Sequence, residues 1–115
     1  MTTESVAREL IQMLKSERNI EAIRMLYDDK IDTVEADPTR SRKGKQTVLK
    51  SMQDFADSHD FKYTKIEGPI ISGGSFALRL AFDAKNRSTG DSFSVDEIAV
   101  YTVLEGRIVR EQFYY

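Results

Sequence analysis

Two hydrophobic periods divide the chain. Up to about residue 58, apolar positions recur every three to four residues, and from Phe61 onward they alternate. Val6, Leu10, Met13 and Leu14 stand opposite Glu4, Arg8, Glu9, Gln12 and Lys15, which predicts a helix over 3–15 with Thr3 as its N-cap. Ser16-Glu17-Arg18 breaks it. Asn19 can cap a second short helix with Ile20, Ile23, Leu26 and Tyr27 on one stripe, ending at Asp28-Asp29. Residues 31–36 carry Ile31, Thr33 and Val34 and predict a strand. Asp37-Pro38 closes it, because the residue before proline avoids helix. Residues 39–45 read as a charged loop. A third helix is predicted over 45–58, with Val48, Leu49, Met52, Phe55 and Ala56 as its buried face.

The second half reads as strands. Residues 61–66 alternate, Gly68-Pro69 bends the chain and Gly73-Gly74 turns it. Residues 76–83 give the clearest pattern: Phe76, Leu78, Leu80 and Phe82 on one face, Ala77, Arg79, Ala81 and Asp83 on the other. Residues 85–91 form a polar hairpin loop, 92–104 a long strand, Glu105-Gly106 a turn, and 107–115 the last strand. Helices first and antiparallel strands later predict an α+β fold, with about three helices on one face of a curved sheet.

Composition narrows the function classes. At 115 residues the chain is expected to be one domain, residues 1–115. A net charge of -2 argues against a nucleic-acid partner. No run of about 18 apolar residues suggests a membrane span, and the polar start of the chain is no signal peptide, so a cytoplasmic location is expected. With no Cys and one His, neither a thiolate nor a multi-histidine metal site is available, and no metal is expected. Gly44-Lys45-Gln46 lacks the upstream glycine of a P-loop, so no nucleotide cofactor is expected either.

The order of these segments resembles the nuclear transport factor 2-like superfamily, and more narrowly its SnoaL-like domains. The residues that carry the resemblance are Asn19-Ile20-Glu21-Ala22-Ile23 running to Tyr27-Asp28-Asp29, then Val34-Glu35-Ala36, Gly44-Lys45, and Glu105 to Glu111. The resemblance implies a cone: a curved sheet wrapping helices, with a pocket at the open end. Members include steroid isomerases, epoxide hydrolases, dehydratases and polyketide cyclases, and also non-enzymatic binding domains. It thus implies either a cofactor-free isomerase, dehydratase or cyclase, or a non-catalytic dimeric domain that binds a ligand or partner.

Within that frame, Phe76, Leu78, Leu80 and Phe82 are expected on the concave face. So are Phe93, Val95, Glu97, Ala99, Tyr101 and Val103 on the long strand, and Val109, Glu111, Phe113 and Tyr115 on the last. Ile108, Arg110, Gln112 and Tyr114 are expected outside, subject to a one-residue ambiguity in the turn that would invert the strand. A carboxylate at Glu97 among apolar neighbours would be partly desolvated and suited to general acid/base work. The competing reading is a rim residue held by a salt bridge. Glu111 is a second candidate, with Arg107 and Arg110 as ordinary partners.

Asp37 resembles, within one residue, the strand-end base of steroid isomerases, although Ala36 intervenes; as a plain turn residue it needs no function. Tyr27 matches an inward pocket tyrosine of that family, and Tyr101 or Tyr115 could orient a ligand. The steroid isomerases' oxyanion groups are replaced by Leu10 or Ile11 and by Ala99, and no acid–Arg–acid set of the epoxide hydrolases is legible. His59 reads as an exposed residue past the third helix, and Arg40, Arg42, Lys43 and Lys45 as a basic loop that is either solvated or anion-binding. The expected partner is a small apolar or amphipathic molecule. A homodimer is expected through the convex face, where Ile98, Val100 and Tyr114 lie.

Overall fold

A six-stranded sheet in the order β2-β1-β6-β5-β4-β3 curves around three helices. The computed structural model describes residues 1–115. Helices α1 (Thr3–Lys15) and α2 (Asn19–Leu26) lead into β1 (Tyr27–Val34). A 3-10 turn (Pro38–Arg40), the short β2 (Arg42–Lys43) and α3 (Lys45–Ser58) follow. The chain then runs through β3 (His59–Ser72), β4 (Ser75–Asn86), β5 (Ser92–Leu104) and β6 (Arg107–Tyr114). No helix is long and apolar enough to cross a membrane.

Local differences from the sequence reading have local causes. The cap of α1 is Thr2, whose side chain accepts from Ser5 N at 3.0 Å, not Thr3. Asn19 is the first helical residue of α2, not its cap, and its amide bonds Tyr63 instead. Strand β1 begins at Tyr27, directly after α2, because Tyr27 already pairs with Ile108. Part of the expected basic loop forms β2, pairing Arg42 with Thr33. The sheet is antiparallel throughout except at β1–β6, which is parallel. These two strands are far apart in sequence, so no hairpin constrains their direction.

The core lies between the helices and the concave face. Val6, Ala7, Leu10, Met13 and Leu14 of α1 and Ala22, Ile23 and Leu26 of α2 cluster with Phe76, Leu78, Leu80, Ala99, Tyr101 and Ile108. Each large apolar side chain buried there stabilises the fold by roughly 1.5–3 kcal/mol. Helix α3 differs: of its apolar stripe only Val48 is fully buried. Its Met52 and Phe55 face a space that the protein leaves open.

Which side chains enter that space is decided by register. Strands β4 and β5 pair without interruption from Ser75↔Thr102 to Lys85↔Ser92, which puts Phe76, Leu78, Leu80 and Phe82 on the same face as Tyr101, Ala99, Glu97 and Val95. Outside, Arg79 bonds Asp96 at 2.8 Å and Glu67 at 3.2 Å, so Asp96 and not Glu97 takes the convex cation. The β5–β6 turn is the two-residue Glu105-Gly106, both at positive φ (52° and 76°), the conformation that matches a twisted hairpin. Val109 is then an extra residue in β6, since Val103 pairs with Ile108 but Thr102 with Arg110. The expectation of Val109 inside and Ile108 outside is therefore corrected: Ile108 is fully buried. Past the bulge the expected parity returns, with Glu111 and Phe113 inside.

Candidate functional site

A cavity of about 310 Å³ occupies the cone between the helices and the sheet. The concave face beneath it is ordered in rows across the sheet. One row runs Arg42, Thr33, Glu111, Tyr101, Phe76, each paired with the next on the neighbouring strand. Two rows nearer the mouth, Glu97 stands opposite Leu80. Tyr101 and Glu97 lie four positions apart on β5, a spacing of ~13 Å between their Cα atoms.

Glu111 is 4 % exposed and is held by two hydroxyls. Tyr27 donates to Oε2, and Thr33 donates to Oε1 at 2.9 Å. Burial raises the Glu111 pKa, and the two hydroxyl donors pull against that rise. The same burial, with Glu111 alongside, drives the Tyr27 phenol well above its ordinary value. Glu111 therefore holds the deep end together through Tyr27 and Thr33, and neither Arg107 nor Arg110 pairs with it. Arg107 bonds Met25 O, and Arg110 bonds Gln112.

Glu97 has a different environment. It is half-buried and has no hydrogen-bond or ion-pair partner. Phe113, Tyr115, Val95 and Phe93 line the cavity around it. Burial first, then the charges of Glu35 and Glu111, push its carboxyl up to about 7. A carboxyl there can both give and take a proton near neutrality.

Of the other candidates, Tyr27, Leu80, Phe82, Tyr101, Phe113 and Tyr115 line the cavity. Phe76 and Leu78 do not: at 1 % exposure each, they are packed into the core below it. Asp37 lies outside the cavity, exposed, where its carboxylate accepts from Thr39 N and Thr39 Oγ1 and caps the 3-10 turn. Those bonds hold its pKa below the usual value, the reverse of a poised base. His59 is not a free helix-end residue. It opens β3 and stacks on Phe55, ring centroids 4.4 Å apart.

The sequence reading did not bring Glu35, Asn19 or Tyr63 to the site, and gave Arg42 only as part of a basic loop. Glu35 extends the inward parity of Ile31 and Thr33, so the alternation of β1 could have revealed it. Arg42 Nη2 pairs with Glu35 at 2.9 Å, and Tyr115 donates to the other Glu35 oxygen at 3.0 Å. Asn19 donates to Tyr63 Oη at 2.7 Å across α2 and β3. Neither Arg42 nor Asn19 carried a local signal, because each depends on tertiary packing. No group of three or more His, Cys, Asp or Glu side chains is arranged to hold a metal ion.

A family model described as a SnoaL-like domain matches residues 1–115. A solved structure from Mesorhizobium loti, provisionally described as a SnoaL-like polyketide cyclase, is 33% identical over 100% of both chains, with a TM-score of 0.91. An NTF2-like protein of unknown function from Burkholderia pseudomallei shares the fold at 12% identity and TM-score 0.80, covering 100% of this chain and 91% of that one. An LEH-like epoxide hydrolase from M. tuberculosis does so at 12% identity and TM-score 0.77, covering 98% and 77%. Among curated proteins none matches.

The raised Glu97 pKa makes stability depend on pH. An ordinary glutamate, as in the unfolded chain, titrates at 4.5, and the folded one at about 7. Between these values the folded state binds more protons, so stability falls as pH rises through that window and levels off above it. Glu97→Gln removes this contribution. Its melting temperature relative to the parent should rise from pH 5 to pH 8, by the equivalent of about 1–2 kcal/mol after discounting for partial exposure. Parallel melting curves across that range would show that Glu97 is not desolvated.

Proposed function

Because the chain belongs to the SnoaL-like domain family, whose polyketide cyclase and epoxide hydrolase relatives support a small-molecule-binding domain, we propose that it binds a small, mostly apolar molecule in the cone and transfers a proton on it, with Glu97 as the general acid/base. The observation that carries this reading is a half-buried carboxyl with no protein partner on the wall of a largely apolar cavity. Glu111 supports it from behind by holding Tyr27, and needs no contact with the ligand. The reading uses no cofactor and a cytoplasmic site of action. Isomerisation, dehydration and cyclisation all need such a group.

The convex face supports a homodimer as part of this reading. Ile98 and Tyr114 are cross-strand partners there, 42% and 52% exposed, with Val100 beside them. Paired apolar side chains left in water on a sheet face favour a second copy as cover.

Two experiments test these readings. In D2O, the protein should speed deuterium exchange into members of a panel of cyclic enones and β-keto esters. Glu97→Gln should lower that rate by ~10²- to 10⁴-fold while leaving the binding of a neutral dye such as N-phenyl-1-naphthylamine unchanged. Dye binding with no exchange in the parent protein would replace the catalytic reading with a non-catalytic binding domain. Sedimentation at tens of micromolar, roughly the range in which standard-size interfaces hold, should show a dimer that Ile98→Asp splits. A monomer throughout would remove the dimer.

A further inference from the structure

The cavity floor holds one hydroxyl that the protein does not use. Tyr101 is 2 % exposed and lines the cavity. Its ring lies on Phe76, centroids 4.8 Å apart and planes 19° from parallel, so the direction of the phenol is fixed by packing. The other inward tyrosines are engaged: Tyr27 donates to Glu111, Tyr115 donates to Glu35, and Tyr63 accepts from Asn19. The Tyr101 hydroxyl makes no hydrogen bond within the protein. Nor is it sealed from solvent, since the buried partnerless polar atoms are Asn19 Oδ1 and Arg42 Nε. With the rest of the residue buried, its open side is the cavity.

We propose that Tyr101 is the ligand's oxygen anchor, donating its O–H to a neutral carbonyl oxygen at the deep end of the cavity. The inference rests on the reading of the cone as a ligand site and names the class of ligand. Three features select a carbonyl. Burial and the adjacent Glu111 keep the phenol protonated far above neutrality, so it offers a proton. A carbonyl only accepts, whereas a ligand hydroxyl would bring an O–H of its own. The oxygens of Glu111, the cross-strand neighbour of Tyr101, are already engaged by Tyr27 and Thr33. A carboxylate or phosphate at the deep end is disfavoured because it would face Glu111, while Arg42 is already paired with Glu35 and the other cavity cation, Arg40, is exposed on the 3-10 turn. Open to the cavity, the hydroxyl is within reach of water, and a ligand carbonyl oxygen takes the place of that water as its acceptor.

The test uses three probes with one apolar body: 2-acetylnaphthalene, 2-ethylnaphthalene and 2-naphthoate. Tyr101→Phe keeps the ring on Phe76 and removes only the oxygen. It should weaken binding of the ketone ~2- to 10-fold, the ratio that one net hydrogen bond gives, and leave the hydrocarbon unchanged. The carbonyl infrared band of the bound ketone should lie at lower frequency in the parent than in the variant. Equal effects on ketone and hydrocarbon, an unshifted band, or tighter binding of the naphthoate than of the ketone would each overturn the anchor. If no naphthalene binds the parent, the ligand-site reading fails and the anchor fails with it. If the ketone behaves as expected but no enone exchanges its protons, the anchor stands and only the proton-transfer role of Glu97 is lost.

Discussion

A carboxylate at the centre of a sheet is the constraint on which this architecture depends. Glu111 can be buried only because Tyr27 and Thr33 each supply a hydroxyl proton to one of its oxygens. Those partners sit at the two ends of the inward face of β1, so satisfying one side chain ties β1 to β6. The two strands pair in parallel, with the segment between Tyr27 and Asp32 bulging to let both ends meet β6. Removing either hydroxyl would leave a buried carboxylate oxygen unpaired, at a cost of about 1–3 kcal/mol.

The commitment at the deep end sets what remains for a ligand. Tyr27 and Thr33 are consumed by Glu111, Arg42 and Tyr115 converge on Glu35, and Asn19 bonds Tyr63. Of the inward polar groups on the sheet, two are left unbonded, the Tyr101 hydroxyl and the Glu97 carboxyl, on one strand and one face; Ser51 of α3 and Arg40 of the 3-10 turn also line the cavity without a side-chain partner. Burial opposes charge on both sheet groups: the phenol stays protonated, and the carboxyl, pushed up to about 7, is only about half-ionised at neutral pH. The apolar side chains that the core does not absorb, such as Phe55 and Phe93, gather at the mouth, in edge contact at 6.5 Å. Incomplete packing of α3 against the sheet is thus what makes a cavity of the cone.

Much of this was legible in the residues. The alternation of 76–83 and 92–104 placed Glu97 inside, and the period change near residue 58 placed the helices before the sheet. What was not legible depends on non-local geometry. The Val109 bulge moves Ile108 from the outer to the inner face, and nothing around it distinguishes it from a regular strand. The parallel partner of β1 lies some eighty residues away. Asp37-Pro38 looks alike whether the carboxylate turns inward as a base or outward as a cap; the nearby Thr39 N–H and hydroxyl decide it for the cap. Arg42 read as part of a charged run because its pairing with Thr33 and Glu35 exists only once β2 has joined the sheet.

The account turns on Glu97 being an acid poised by its surroundings rather than an ordinary surface carboxylate. A direct measurement is the titration of the Glu97 side-chain carboxyl carbon by NMR in selectively labelled protein, with Glu97→Gln assigning the signal. A midpoint near 7 is predicted. A midpoint at the ordinary glutamate value of 4.5 would show that the carboxyl is solvated or paired, and would contradict the account.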